Sequence, residues 1–213
     1  MEVPRTVAII GTGNVGSALG ASLSRVGHEV VYGVRELESE AARAAAQSVP
    51  GARVVKVSEA AADSEVVILA IPWDSVAEVA GQLGQLDGRI VVDATNPLKS
   101  DLTDLAVSRG TSAGEQVAGL LPSARVVKAF NTTGAGNLAD SRYPAGPLVM
   151  LVCGEDADAK ETVCELAEDI GFASLDAGGI EMSRHLEAFA MLWIRLAYSE
   201  GQGPDFAFRL VRR

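Results

Sequence analysis

Gly11-Thr12-Gly13-Asn14-Val15-Gly16 sets three glycines at a spacing that lets a main chain turn sharply and approach a phosphate closely. The apolar run from Thr6 to Ile10 leads into the turn, and a helical pattern from Asn14 leads out of it. A strand, a glycine turn and a helix in that order form the setting of a dinucleotide-binding site. There Gly11 makes the tight turn, Gly13 admits a pyrophosphate against the backbone, and Gly16 lets the helix pack on the strand. The helix N-terminus presents unpaired N–H groups to the phosphates. Thr12, Asn14 and Val15 complete the expected cofactor-binding set at this turn. The competing reading, an ordinary strand-to-helix turn, accounts less well for all three spacings and both flanks.

A second chemical signal stands where the next apolar run, His28 to Val34, delivers Arg35. An NAD site holds the ribose 2′-hydroxyl here with a carboxylate, whereas an NADP site meets the 2′-phosphate with a cation. The planar guanidinium bonds phosphate through two N–H groups and stays charged at any working pH. NADP is therefore the expected cofactor. The plainer alternative is a surface arginine paired with Glu36 or Glu38.

Ligands in open α/β sheets bind outside the carboxyl ends of the strands. Three further loops fall there: Ile71-Pro72-Trp73-Asp74, the segment from Asp93 through Asn96-Pro97 to Asp101, and Phe130-Asn131 through Asn137. They offer amides, hydroxyls, prolines and an aromatic ring but few ionisable side chains. The chemistry they suit needs orientation more than proton transfer.

The elements that must position these loops alternate along the chain. Strands are expected at Thr6 to Ile10, His28 to Val34, Arg53 to Val57, Val66 to Ile71, Arg89 to Asp93, Arg125 to Phe130, Leu148 to Cys153 and Phe172 to Asp176. Amphipathic helices are expected at Asn14 to Val26, Glu36 to Gln47, Ser75 to Leu83, Gly114 to Leu121 and Asp156 to Ile170, with a last one from Glu181 to about Tyr198. The pattern predicts an α/β fold: a Rossmann-type doubly wound, mainly parallel sheet extended by two C-terminal strands and a final helix. Residues 1–140 read as the dinucleotide-binding unit and 141–213 as the sheet extension and C-terminal helix, expected to form one compact unit with the first, the nearest thing to a boundary being the loop Asp140 to Pro147. In the last helix Leu186, Phe189, Ala190, Trp193 and Leu196 form one stripe, yet Met191, Leu192, Ile194 and Tyr198 make the other side apolar too. A homodimer contact is expected there. The tail from Gly201 alternates Phe206, Phe208 and Leu210, the period of an extended arm that docks on its own or a partner's surface; a disordered end is the alternative.

Composition excludes other classes. The 213 residues carry 18 Lys and Arg against 28 Asp and Glu, a net charge of −10, and no basic stripe to neutralise nucleic-acid phosphates. No apolar run has the length of a membrane span, and the first strand leaves no room for a signal peptide, so a cytoplasmic protein is expected. Cys153 and Cys164 match no metal spacing and read as free buried thiols. His28 reads as structural and His185 as a partner in a surface ion pair beside Glu181 and Arg184.

The first turn, the run Gly27 to Arg35, the Asn96-Pro97 loop and Val127-Lys128-Ala129-Phe130-Asn131 together resemble the NADPH-dependent deazaflavin (coenzyme F-420) oxidoreductases. The cytoplasmic oxidoreductase domain of the STEAP metalloreductases is similar in the same places. The resemblance implies hydride transfer between NADP(H) and a small-molecule acceptor, a deazaflavin or an ordinary flavin (FMN or FAD). It also implies that Ile71, Pro72 and Trp73 wall the nicotinamide, that Asn96 and Pro97 bound the cleft, and that Asn131 places polar groups near the acceptor ring. Trp73 and Asn131 would act by positioning, with no acid or base required and no metal. Trp73 as a packing residue and Asn131 as a loop amide are the plainer readings. Deazaflavin users place Ser before the arginine and Lys a few residues after it, where this chain has Val34 and, approximately, Ser39. They also tend to carry His where it has Asn131, a feature of the STEAP-like branch. Imine and hydroxyacid reductases resemble the N-terminal half but need a long helical second domain. A non-catalytic NADP(H)-binding sensor remains the alternative from another class.

Overall fold

The computed structural model describes residues 4–107 and 110–213 and joins the apolar runs into one eight-stranded sheet. β1 (Thr6–Ile10), β2 (Glu29–Val34), β3 (Arg53–Lys56), β4 (Val66–Leu69), β5 (Ile90–Asp93) and β6 (Arg125–Lys128) run parallel in the order β3-β2-β1-β4-β5-β6. β7 (Val149–Gly154) pairs antiparallel with β6, and β8 (Ala173–Asp176) lies parallel to β7. The sheet runs without a break across the expected 140/141 boundary. This is the Rossmann-type, mainly parallel arrangement that the alternation of elements predicts.

Helices cover both faces, which is why the inner strands are apolar at every position rather than at alternate ones. They are α1 (Asn14–Arg25), α2 (Glu40–Ser48), α3 (Val57–Ala62), α4 (Val76–Ala80), α5 (Ala113–Leu120), α6 (Ala135–Ala139), α7 (Ala157–Asp169) and α8 (Ser183–Tyr198). Side chains of β1 divide by the two-residue strand period. Val7 and Ile9 pack with Leu19, Leu23 and Leu166 on one face, and Ala8 and Ile10 with Val57, Val79 and Val117 on the other.

Boundaries moved where a cap outweighed periodicity. α2 starts at Glu40, not Glu36, because the Ser39 side chain accepts from the Ala42 N–H and fixes the first turn. The helix expected at Ser75 to Leu83 is a 3-10 turn, Trp73–Ser75, followed by the short α4. α3 takes Val57 from the expected third strand, and α6 occupies what reads in sequence as loop. Both are too short to display a helical apolar period.

The tail docks on its own chain. Phe208 O accepts from Val149 N, while Phe206 O accepts from Trp193 Nε1 and from Asn137 Nδ2. The Trp193 and Phe206 rings stack at 5.4 Å. On α8, Leu186, Ala190 and Trp193 are buried, while Leu192 and Tyr198 remain 50% and 65% exposed. His28 is structural: Nδ1 accepts from Arg5 N and Nε2 meets Asp169 at 3.0 Å. His185 is exposed, and the ion pair at that turn belongs instead to its neighbour Arg184, with Glu115. Both cysteines are free, Cys153 buried and Cys164 only partly so. Burial pushes each thiol up from its ordinary value. No helix among the described residues is long and apolar enough to cross a membrane.

Candidate functional site

β1 and β4 are neighbours whose following helices lie on opposite faces, so a crevice opens at their carboxyl ends. The glycine turn floors it. Gly11 has φ of 110°, and a β-carbon there would overlap the Ala70 carbonyl oxygen. A β-carbon at Gly16 would overlap Gly11 O, so α1 sits as close to the turn as backbone allows. Gly13 is the reverse case, because a β-carbon there would have nothing within 4 Å. Its face is open to the crevice. Gly13 is also the N-cap of α1 and supplies no side-chain bond, whereas Ser39, Ser112 and Asp156 cap α2, α5 and α7. The first-turn N–H groups of α1 thus remain donors for an anion.

Two cavities meet at this turn. The first, about 380 Å³, is lined by Gly11, Thr12, Arg35, Pro72 and Ser75 among others. The second, about 330 Å³, lies between the turn and α8 and is lined by Asn14, Val15, Asn96, Asn131, Ile194 and Tyr198 among others. Gly13, Ala70 and Ile71 belong to both walls. The combined shape is a groove with two chambers and an amide-lined waist, which fits the two nucleoside halves and the central pyrophosphate of a dinucleotide.

In the first chamber Arg35 projects with 59% of its side chain exposed. Its ion-pair partner is Glu78, at 3.8 Å, and not Glu36 or Glu38. Exposed pairs of this kind are weak, so the guanidinium is available to a phosphate.

In the second chamber Asn96 and Asn131 hold each other. Asn96 Nδ2 donates to Asn131 O at 2.9 Å, and Asn131 Nδ2 donates to Asn96 Oδ1 at 3.1 Å. The preceding Phe130 takes φ of 63°, the left-handed region that costs a non-glycine residue about 1–3 kcal/mol. Its N–H meets Met150 Sδ at 3.3 Å, and its ring is buried, so the kink is held from behind. The kink turns Asn131 into the cleft. Asn131 Oδ1 is buried without a hydrogen-bond partner, an acceptor that suits a ligand's amide N–H.

Beneath the cleft lies a feature the loops do not announce. Lys128, Asp93 and Glu187 are fully buried, with Lys128 Nζ at 2.8 Å from Asp93 and 3.1 Å from Glu187, and donating to Thr95 O at 2.7 Å. Glu187 also accepts from the Ala113 and Gly114 N–H groups that open α5. One cluster thereby ties α8 to α5 and to the ends of β5 and β6. Burial itself lowers the Lys128 pKa, and the two carboxylates more than offset this, leaving it raised.

Most of the sequence-derived residues come together. Gly11, Thr12, Gly13, Asn14, Val15, Arg35, Ile71, Pro72, Asn96 and Asn131 line the groove, with Gly16 packed beneath it. Trp73 does not join them, because the 3-10 turn carries its ring to a separate groove against Gln116 and Leu120 of α5. Pro97 is buried behind Asn96, and its carbonyl accepts from Ala106 N. Leu98, Thr133, Ile194 and Tyr198 line the second chamber and were missed. The apolar second side of the last helix was the available signal. Ile194 and Tyr198 on that side face the cleft. Among the described residues no group of His, Cys, Asp or Glu is placed to hold a metal ion.

The family model described as NADP oxidoreductase, coenzyme F420-dependent, matches residues 6–97. An F420-dependent NADP reductase of Methanocaldococcus jannaschii is 32% identical over 205 residues, covering 89% of this chain and 91% of that protein. Metalloreductase STEAP3 of Rattus norvegicus is 32% identical over 197 residues, 89% of this chain, and the chain spans only 38% of its length. A solved structure from Arthrobacter sp. FB24, provisionally described as an F420-dependent NADP-reductase, superposes with a TM-score of 0.88 at 31% identity, covering 98% of this chain and 100% of that one.

Proposed function

The chain belongs to the family of F420-dependent NADP reductases, and from that premise we propose that it transfers a hydride between NADP(H) and a deazaflavin or flavin acceptor. The observation that carries the reading is the pair of chambers joined at Gly13 and Ile71, one ending at Arg35 and the other at Asn131. In this reading the first-turn amides of α1 hold the pyrophosphate and Arg35 meets the 2′-phosphate. Ile71 stands at the waist against the nicotinamide ribose, and Asn131 Oδ1 accepts from the nicotinamide amide. Ile194 and Tyr198 form the far wall against which the acceptor ring lies. Bound together, the two cofactors supply the redox chemistry themselves. The chain orients them and excludes water, and no side chain has to move a proton.

Purified protein mixed anaerobically with NADPH and, in parallel, deazaflavin, FMN or FAD is expected to oxidise NADPH rapidly with one acceptor and only slowly with NADH as donor. Arg35→Ala is expected to raise the KM for NADPH about tenfold to thirtyfold, the loss of a charge-assisted phosphate contact, and to leave that for NADH unchanged. Tight NADPH binding without turnover of any acceptor would point to a sensor instead.

A further inference from the structure

A 2′-phosphate beside Arg35 faces an electrostatic deficit. Glu78 shares the guanidinium at 3.8 Å and Glu36 lines the same chamber, so one cation is set against two carboxylates where a dianion has to bind. A second cation, Lys56, stands close enough to lessen that deficit. The register of β2 and β3 places Lys56 opposite Val34, so two parallel strands deliver Arg35 and Lys56 to the same carboxyl edge. Lys56 Nζ donates to Arg35 O at 2.6 Å. Both residues line one shallow cavity of about 370 Å³ on the flank of the first chamber, which shares Val34, Arg35 and Val57 with it. An ammonium carries three protons and the carbonyl takes one, leaving two to donate. Among the described residues, the ion pair on this edge joins Arg35 to Glu78, and no ion pair takes Lys56.

We propose that Lys56 is a second contact for the cofactor's 2′-phosphate and sets, together with Arg35, the preference of this site for NADP over NAD. The proposal rests on the NADP reading above. The carbonyl bond anchors the ammonium over the end of β2, so a phosphate arriving at Arg35 finds a cation already ordered rather than one that must be recruited from solvent.

The test is equilibrium binding of NADPH, NADH and adenosine 2′-monophosphate to the wild type, Lys56→Met, Lys56→Arg and Arg35→Ala, at low and at raised salt. Lys56→Met is expected to weaken NADPH and adenosine 2′-monophosphate about tenfold and to leave NADH unchanged, with Lys56→Arg restoring most of the loss. The salt dependence of NADPH binding should shrink in Lys56→Met. Wild-type affinity for NADPH in Lys56→Met would overturn the proposal, as would equal weakening of NADPH and NADH, which marks a merely structural strand end. A wild type that binds NADPH no better than NADH would instead sink the NADP reading itself, a result distinguishable because it precedes any substitution.

Discussion

Lys128→Met is expected to lower the unfolding free energy by about 3–5 kcal/mol, the cost of leaving buried charge without its counter-ion. Asp93 and Glu187 are both sealed from water, and Lys128 is their common cation at 2.8 and 3.1 Å. The cluster holds one cation and two carboxylates, and the balance comes from the two N–H groups at the start of α5 that Glu187 accepts. Removing the lysine cuts the link from Glu187 of α8 to Asp93 and the Thr95 carbonyl in one step, and leaves Glu187 held by the two N–H groups of α5 alone. For a domain of this size each kcal/mol is worth roughly 2–4 °C, so the melting temperature should fall on the order of 10 °C. Chemical denaturation followed by circular dichroism reads this directly, and a loss under about 1 kcal/mol would show that the cluster is not the clamp described. The pH dependence has a definite sign. The folded pKa of Lys128 is raised above its ordinary 10.5, so its stabilisation is fully present below that value and lost as pH rises through the folded one. Wild-type stability should therefore fall on the alkaline side, and Lys128→Met should lack that limb.

The first chamber was legible in the sequence because its parts are local: a glycine turn between a strand and a helix, and a cation at the end of the next strand. Their spacing is fixed by backbone geometry, so Gly11, Gly13, Gly16 and Arg35 stand where the pattern puts them. Asn96 and Asn131 lie 35 positions apart, yet both were legible because each stands in the loop that follows a strand of the same sheet. What escaped depends on contacts between distant segments. Lys56 approaches Arg35 through strand register, Glu187 reaches Lys128 from a helix 59 residues on, and Tyr198 lines the second chamber from the C-terminal end of α8, a helix that the tail meets through Trp193 and Phe206. Trp73 shows the opposite failure. It follows a strand end like the groove residues, but a three-residue 3-10 turn rotates its ring out of the cleft. No periodicity in so short an element announces that rotation.

Gly13→Val is expected to separate the cofactor site from the fold. The added β-carbon meets nothing within 4 Å of the protein, so the main chain need not shift. Its cost to stability is the poorer N-cap, about 1 kcal/mol, and the melting temperature should drop by only a few degrees. The isopropyl group nevertheless fills the waist where the two chambers meet and covers the first-turn amides of α1. Displacing a pyrophosphate by even about 1 Å from such donors costs on the order of a hundredfold, so NADPH affinity and turnover should both fall by at least that factor. Gly16→Val is the contrasting control, because its β-carbon would overlap Gly11 O and α1 would have to leave the sheet. That variant should lose the fold and not merely the ligand. A Gly13→Val protein that binds NADPH as tightly as the wild type would show that the pyrophosphate lies elsewhere, and the two chambers would then have to be read as separate sites. If instead binding is lost while the melting curve stays close to that of the wild type, the waist at Gly13 is the point through which a single ligand spans both.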